Sequence, residues 1–185
     1  MYILNIRFIP IILVYYLFVS TKRGEVLKKD RKKWAEIIPA KPDNFRTFLY
    51  LLALPEFRTV VYYRMGFFSI LISWIAPGQN SLFLRCRNIG PGLVVQHGHS
   101  TRLGAHSVGE NLQIWHNVTV GTNRSKSGNL PTIGNNVKIC TGAIVLGEIK
   151  IGDNATIGAG AVVVKDVPAG AVVVGNPAHE IHPKS

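Results

Sequence analysis

VGENLQIWHNVTVG (residues 108–121) and PTIGNNVKICTGAIVLGEIKIGDNATIGAGAVVVKDVP (131–168) are written in sixes. Ile or Val recurs at Val108, Ile114 and Val120, and after one interruption at Ile133, Ile139, Val145, Ile151, Ile157 and Val163. Side chains repeat about every 3.6 residues on a helix and about every two on a strand, so neither a helix nor a flat sheet accounts for this period. Glycine follows several of these aliphatics, at Gly109, Gly121, Gly134, Gly152 and Gly158. Four residues after each aliphatic but Val120 stands another apolar residue, mostly small: Leu112, Val118, Val137, Ala143, Ile149, Ala155, Ala161 and Val167. Glycine turns a corner at little steric cost, and small side chains suit a narrow interior. The period therefore predicts a short strand, a corner and the next strand, coil upon coil, which is a parallel β-helix.

Upstream, IGPGLVVQHGHS (89–100) keeps the phase through Ile89, Val95 and Thr101, but the next aliphatic, Val108, comes one residue late. The spacing predicts a bulged corner between His97 and Ser107, and bulges in β structure re-aim side chains near functional sites. That corner carries His97, His99 and His106.

The in-phase hexapeptides and the GNPA tail (175–178) resemble the hexapeptide-repeat acyltransferases. Within them the similarity is to the serine acetyltransferase group and the related bacterial glycan O-acetyltransferases, and it runs from about Asn88 to the end. The resemblance implies a left-handed β-helix of triangular coils, against the usual right-handed crossover, assembled as a homotrimer with sites between adjacent β-helices. It implies acetyl-coenzyme A as donor and direct attack by the acceptor hydroxyl. QHGHS (96–100) aligns with the segment bearing the family's catalytic histidine, so His97 is the implied general base, a role that suits a group titrating near neutrality. His116, beside Trp115 in the next coil, is a second candidate, since stacked strands lie about 4.8 Å apart. The coenzyme A groove is implied at Gly121, Thr141, Gly142, Ala159 and the turn of Gly175, Pro177 and Ala178, with Lys165 and Lys184 as phosphate partners. The polar interruption GTNRSKSGNLPT (121–132), basic at Arg124 and Lys126, reads as a surface insertion; in relatives a loop here covers the shared site.

Departures from the serine-specific pattern bear on the acceptor. Gln96 stands where that group has an acidic residue, SLFLRCR (81–87) offers no aspartate to orient the base, and Leu130 replaces a further histidine. An ammonium group would want carboxylates. The expected reaction is therefore acetyl transfer to a neutral hydroxyl, a sugar of a surface or lipid-linked glycan, with serine O-acetylation in cysteine biosynthesis as the alternative. Two other classes are a carbonic anhydrase-like zinc protein and a catalytically silent structural trimer. His97 and His99 lack a clear third partner, so no metal ligand is assigned.

The N-terminal part has another character. Of the charged residues, 14 Lys and Arg against 5 Asp and Glu lie up to Arg87, and 7 against 5 follow it. MYILNIRFIPIILVYYLFVS (1–20) is apolar except at Asn5 and Arg7; membrane contact is expected, while crossing stays open because a span needs about 20 residues. Lys28, Lys29, Arg31, Lys32 and Lys33 form a basic block suited to anionic lipid. Phe45 to Trp74 predicts two or three helices, with Pro55 at a first helical position and Glu56, Arg58 and Arg64 on one side. Pro77 and Gly78 then break the pattern. The expected organisation is mainly β: a helical, basic, membrane-seeking region over 1–80, then a left-handed β-helix acetyltransferase domain over 81–185. The expected location is cytoplasmic, at the inner face of the cell membrane. Cys86 and Cys140 read as small buried hydrophobes. Nucleic acid is not an expected partner, because the basic block lacks interleaved aromatics.

Overall fold

The computed structural model describes residues 6–37, 43–123 and 129–181. The chain divides into two compact units, Met1–Asn80 and Ser81–Ser185.

The first unit contains α1 (Ile9–Phe18), α2 (Lys22–Ile37), α3 (Phe45–Ala53) and α4 (Pro55–Met65), the last running into a 3-10 turn over Gly66–Leu71. Asn44 caps α3, its side chain accepting from the Thr47 amide at 3.0 Å, and Pro55 opens α4 as expected. α1 is too short to span: its 10 residues rise about 15 Å against a bilayer core of about 30 Å. Among the described residues no helix is long and apolar enough to cross a membrane. Ile11, Tyr15 and Phe18 instead face inward, and the Tyr15 ring lies 4.4 Å from that of Phe48. Phe57 continues the aromatic core, 6.5 Å from Phe48 and 5.3 Å from Trp34. The basic block lies on α2, where Lys28 pairs with Glu25 and Lys33 with Glu36. The stripe of Glu56, Arg58 and Arg64 is not a wet face. Glu56 and Arg64 are buried, and Arg64 meets the buried Asp30 of α2.

The second unit is a stack of triangular coils. One face, A, holds β1 (Leu82–Leu84), β3 (Thr101–Leu103), β6 (Thr119–Gly121), β9 (Ile144–Leu146) and β12 (Val162–Val163). Face B holds β4 (Ser107–Val108), β7 (Thr132–Ile133) and β10 (Lys150–Ile151). Face C holds β2 (Val94–Val95), β5 (Gln113–Ile114), β8 (Lys138–Ile139), β11 (Thr156–Ile157) and β13 (Val172–Val174), closed by the antiparallel β14 (His179–Ile181). Every other pairing is parallel and in register, with Val120 on Val145 on face A, Val108 on Ile133 on face B, and Ile114 on Ile139 on face C. These columns form the core together with Leu112, Val118, Val137, Ala143, Ala155 and Ala161, all shut from solvent. Each buried Val or Ile stabilises by roughly 1.5–3 kcal/mol.

Two details of the repeat differ from expectation. Thr101 is buried on face A but is not in the column of Val120: Leu103 is, two residues on. The extra residues therefore crowd between Val95 and Thr101, at the corner bearing His97. The glycines after the aliphatics, in turn, are not where the backbone is left-handed; Asn111, Asn136 and Asn154 are, at φ 59°, 56° and 61°. Gly109, Gly134 and Gly152 are demanded by close approach, since a Cβ there would come within 3.0 Å of the next coil. The asparagines also bond from coil to coil, Asn111 Nδ2 to Asn136 Oδ1 at 2.9 Å and Asn136 Nδ2 to Asn154 Oδ1 at 3.1 Å.

Candidate active site at the corners between faces C and A

Where β2 hands over to β3 the chain needs two tight reversals. His97 takes φ 65°, Gly98 45° and Ser100 49°. A non-glycine residue in this region is uncommon and costs about 1–2 kcal/mol, and such strain gathers at functional sites. The corner is braced from both sides. The His99 amide reaches the His97 carbonyl at 2.6 Å, and the Asn117 amide reaches the His99 carbonyl at 2.8 Å. The Thr101 hydroxyl, wholly buried, lies 3.1 Å from the carbonyls of His99 and Trp115. Thr101 is the residue that sequence reasoning took for a core position; its signal was a polar side chain standing on the apolar phase.

The next coil places His116 against His97. Their rings lie 5.9 Å apart, inclined by 64°. His97 is exposed and His116 half-buried, and Nδ1 of His116 is buried without a hydrogen-bond partner. Further along the same column, the Gly142 amide bonds the His116 carbonyl at 3.1 Å, and the Gly160 amide bonds that of Thr141 at 2.9 Å. Thr141, Gly142 and Ala159 are thus stacked on the histidine corner. Gly175 and Ala178 join at the following coil by bonds to and from Val162, with Pro177 between them after a cis Asn176–Pro177 bond. Gly121 falls elsewhere: it ends β6, where its carbonyl accepts from Gly147. Lys165 is exposed beyond β12. Lys184, Arg124 and Lys126 lie outside the described residues.

The column is uncrowded at two of its glycines. A Cβ added at Gly160 would meet nothing within 4 Å, and one at Gly142 only the Gly160 backbone at 3.8 Å. Burial pushes both thiols up, Cys86 and Cys140 alike, which disfavours the thiolate a nucleophilic cysteine needs. His99 lends its backbone to the corner. His106 lies apart, at a cavity of about 280 Å³ with Leu130, Glu148 and Lys150. Among the described residues no group of three or more His, Cys, Asp or Glu is gathered to hold a metal ion.

Comparison with known proteins agrees with this geometry and corrects one expectation. Residues 131–165 match the family described as bacterial transferase hexapeptide (six repeats). The chain is 35% identical over 173 residues to the serine acetyltransferase of Helicobacter pylori, covering 88% of this chain and 96% of that one. A relative from Schizosaccharomyces pombe, provisionally assigned the same activity, is 34% identical over 157 residues, 78% of this chain and 57% of its own greater length. Among solved structures, the serine acetyltransferase of Neisseria gonorrhoeae in complex with serine matches with TM-score 0.70 and 29% identity, over 91% of this chain and 74% of that one. That of Brucella abortus in complex with coenzyme A matches with TM-score 0.71 and 26% identity, over 93% and 74%. The fold is the left-handed parallel β-helix. The expectation of a glycan acceptor is overturned, because the relatives and structures are consistently serine acetyltransferases. Its basis was the missing carboxylates at Gln96 and in 81–87, the histidine missing at Leu130 and the membrane-seeking N-terminus, and these local departures do not outweigh similarity over 88% of the chain. By that similarity the chain belongs to the serine acetyltransferase family.

Proposed function

We propose that the protein moves the acetyl group of acetyl-coenzyme A to the hydroxyl of L-serine, with His97 as general base. The observation that carries this reading is the similarity to the Helicobacter pylori serine acetyltransferase over 96% of that protein. The strained, exposed His97 at the mouth of the corner column supplies the chemistry.

The donor contributes an acetyl thioester. On this chain, the glycine-lined backbone at Thr141, Gly142 and Ala159 suits an extended arm, continued at Gly175, Pro177 and Ala178. Lys165 offers charge to phosphates. Gly121, away from the column, is assigned no part in that groove. His97 takes the proton of the serine hydroxyl as its oxygen bonds the acetyl carbon. The carbon–sulfur bond breaks, and the departing sulfur takes that proton from His97, so O-acetylserine and free coenzyme A leave an unchanged enzyme. General base assistance of this kind is worth about 10²–10⁴-fold. With both thiols held protonated by burial, direct attack by serine is favoured over an acyl-cysteine.

The assembly we infer is a trimer, which places the open corner of one β-helix beside a neighbour. Light scattering at three times the 20.4 kDa of one chain is the expected outcome, and a monomer would refute it. A contact of the N-terminal unit with anionic membrane is also inferred, from the exposed Phe67, Phe68, Ile70, Leu71 and Trp74.

The test of function is release of free coenzyme A by the full chain, with L-serine or a panel of sugars offered separately. Turnover with serine, lost in His97→Ala with folding intact, is expected. No turnover with serine would overturn the reading.

A further inference from the structure

One nitrogen at the corner has nothing to bond. Nδ1 of His116 is buried and unpartnered, although an unmatched buried polar atom is costly and native structures nearly always satisfy it. A histidine kept for packing alone would find a carbonyl, but those of the stacked corners are engaged. His99 accepts from Asn117, His116 from Gly142, Thr141 from Gly160, and Trp115 from the Thr101 hydroxyl. The His97 ring lies 5.9 Å from that of His116 between centroids, inclined by 64°. That gap is too wide for a direct bond of about 3 Å between ring nitrogens, and about right for one oxygen atom bonded to both.

We propose that Nδ1–H of His116 donates a hydrogen bond to the hydroxyl oxygen of the acceptor, while that hydroxyl donates its own proton to His97. The proposal rests on the serine O-acetyltransferase reading and adds to it the group that aims the hydroxyl. A hydroxyl has one donor and two lone pairs. Binding the donor to His97 and one lone pair to His116 leaves the second lone pair to attack. As the oxygen–carbon bond forms, the O–H bond breaks towards His97, and the thioester sulfur leaves with that proton. His116 keeps its own proton throughout. The ionisable side chains on these corners are His97, His99, His116 and Cys140, with no carboxylate among them. The acceptor hydroxyl is thus held by two imidazoles where an acidic residue would otherwise help: Gln96 cannot supply one.

The test is a matched set at position 116 in the full chain, each variant checked for folding by circular dichroism. Asn sets an amide N–H close to where Nδ1–H lies, Gln sets it nearer to Nε2, and Leu has none. His116→Leu and His116→Gln are expected to lower kcat/KM for serine by about 10²-fold, with KM for acetyl-coenzyme A unmoved. His116→Asn is expected to recover most of the loss. Equal loss in Asn and Leu, or wild-type kcat/KM in Leu, would overturn the proposal and leave the serine reading standing. Absence of serine turnover in the wild type would instead bring down that reading and the proposal with it. A readout independent of turnover is the ¹⁵N resonance of the histidine rings: titrated L-serine is expected to shift Nδ1 of His116, and an unmoved signal at saturating serine refutes the contact.

Discussion

Arg64 grips Asp30 with two nitrogens, Nε at 2.8 Å from one carboxylate oxygen and Nη2 at 3.2 Å from the other, where the side chains are 7% and 0% exposed. The pair ties α2 to α4 inside the helical unit. Burying two charges costs several kcal/mol that the contact only roughly offsets, but removing one partner strands the other and costs about 3–5 kcal/mol. Asp30→Ala is therefore expected to lower unfolding stability by that amount, read by urea titration of the helical signal. The double change Asp30→Leu with Arg64→Met is expected to lose less than Asp30→Ala alone.

The contrast between two glycines separates crowding from backbone strain. Gly134→Ala would press a methyl into the Gly152–Asp153 backbone, whereas Gly160, at φ 68°, has no neighbour within 4 Å. Gly160→Ala should cost only the left-handed penalty of about 1–2 kcal/mol, and Gly134→Ala more. Melting temperatures of the two variants, measured side by side, decide this; the reverse order would refute the account of the corners.

The Asp153 carboxylate accepts from the Asn135 amide at 2.7 Å and from Asn135 Nδ2 at 3.2 Å, and the backbone bond above all holds its pKa below the usual carboxylate value. A group whose folded pKa is depressed adds stability that is present above its unfolded pKa, about 3.9, and is lost as pH falls through the folded value. Thermal stability of the wild type should therefore decline below about pH 4 more steeply than that of Asp153→Asn. Parallel acid limbs would show that this ladder of coils does not sense pH through Asp153.

At the helical unit, Phe67 and Trp74 are 79% and 77% exposed, and the exposed Lys29 and Lys32 lie on α2. Co-sedimentation with vesicles containing phosphatidylserine is expected, weakened in Phe67→Ser with Trp74→Ser and by raised salt. Equal sedimentation of wild type and variant would remove the membrane contact.

The acceptor shows where reading residues singly misleads. Gln96 and the stretch 81–87 offer no carboxylate to an ammonium group, Leu130 stands in place of a histidine, and these absences pointed to a sugar. The relatives point to serine. A site shared over stacked coils can draw its polar groups from places that no alignment of one hexapeptide exposes, and the role proposed for His116 is of that kind.

The β-helix was legible in the chain because burial acts residue by residue: each inward Ile or Val must be apolar whatever it stacks on, so a period of six survives in the text. The same holds for the helix start at Pro55, which is local. What the tertiary structure alone decided are matters of which coil or helix lies next to which. The sixfold phase put Thr101 in the column of Val120, but Leu103 stacks there, and the buried Thr101 braces the His97 corner instead. Arg64 read as one of three charges on one side of a helix until the packing of α2 on α4 set it against the buried Asp30. The repeat placed His116 one coil from His97; only the parallel register of β2 on β5 fixes how the rings meet, 5.9 Å apart and inclined by 64°, because pairing across coils depends on distant neighbours and not on either residue's own preference.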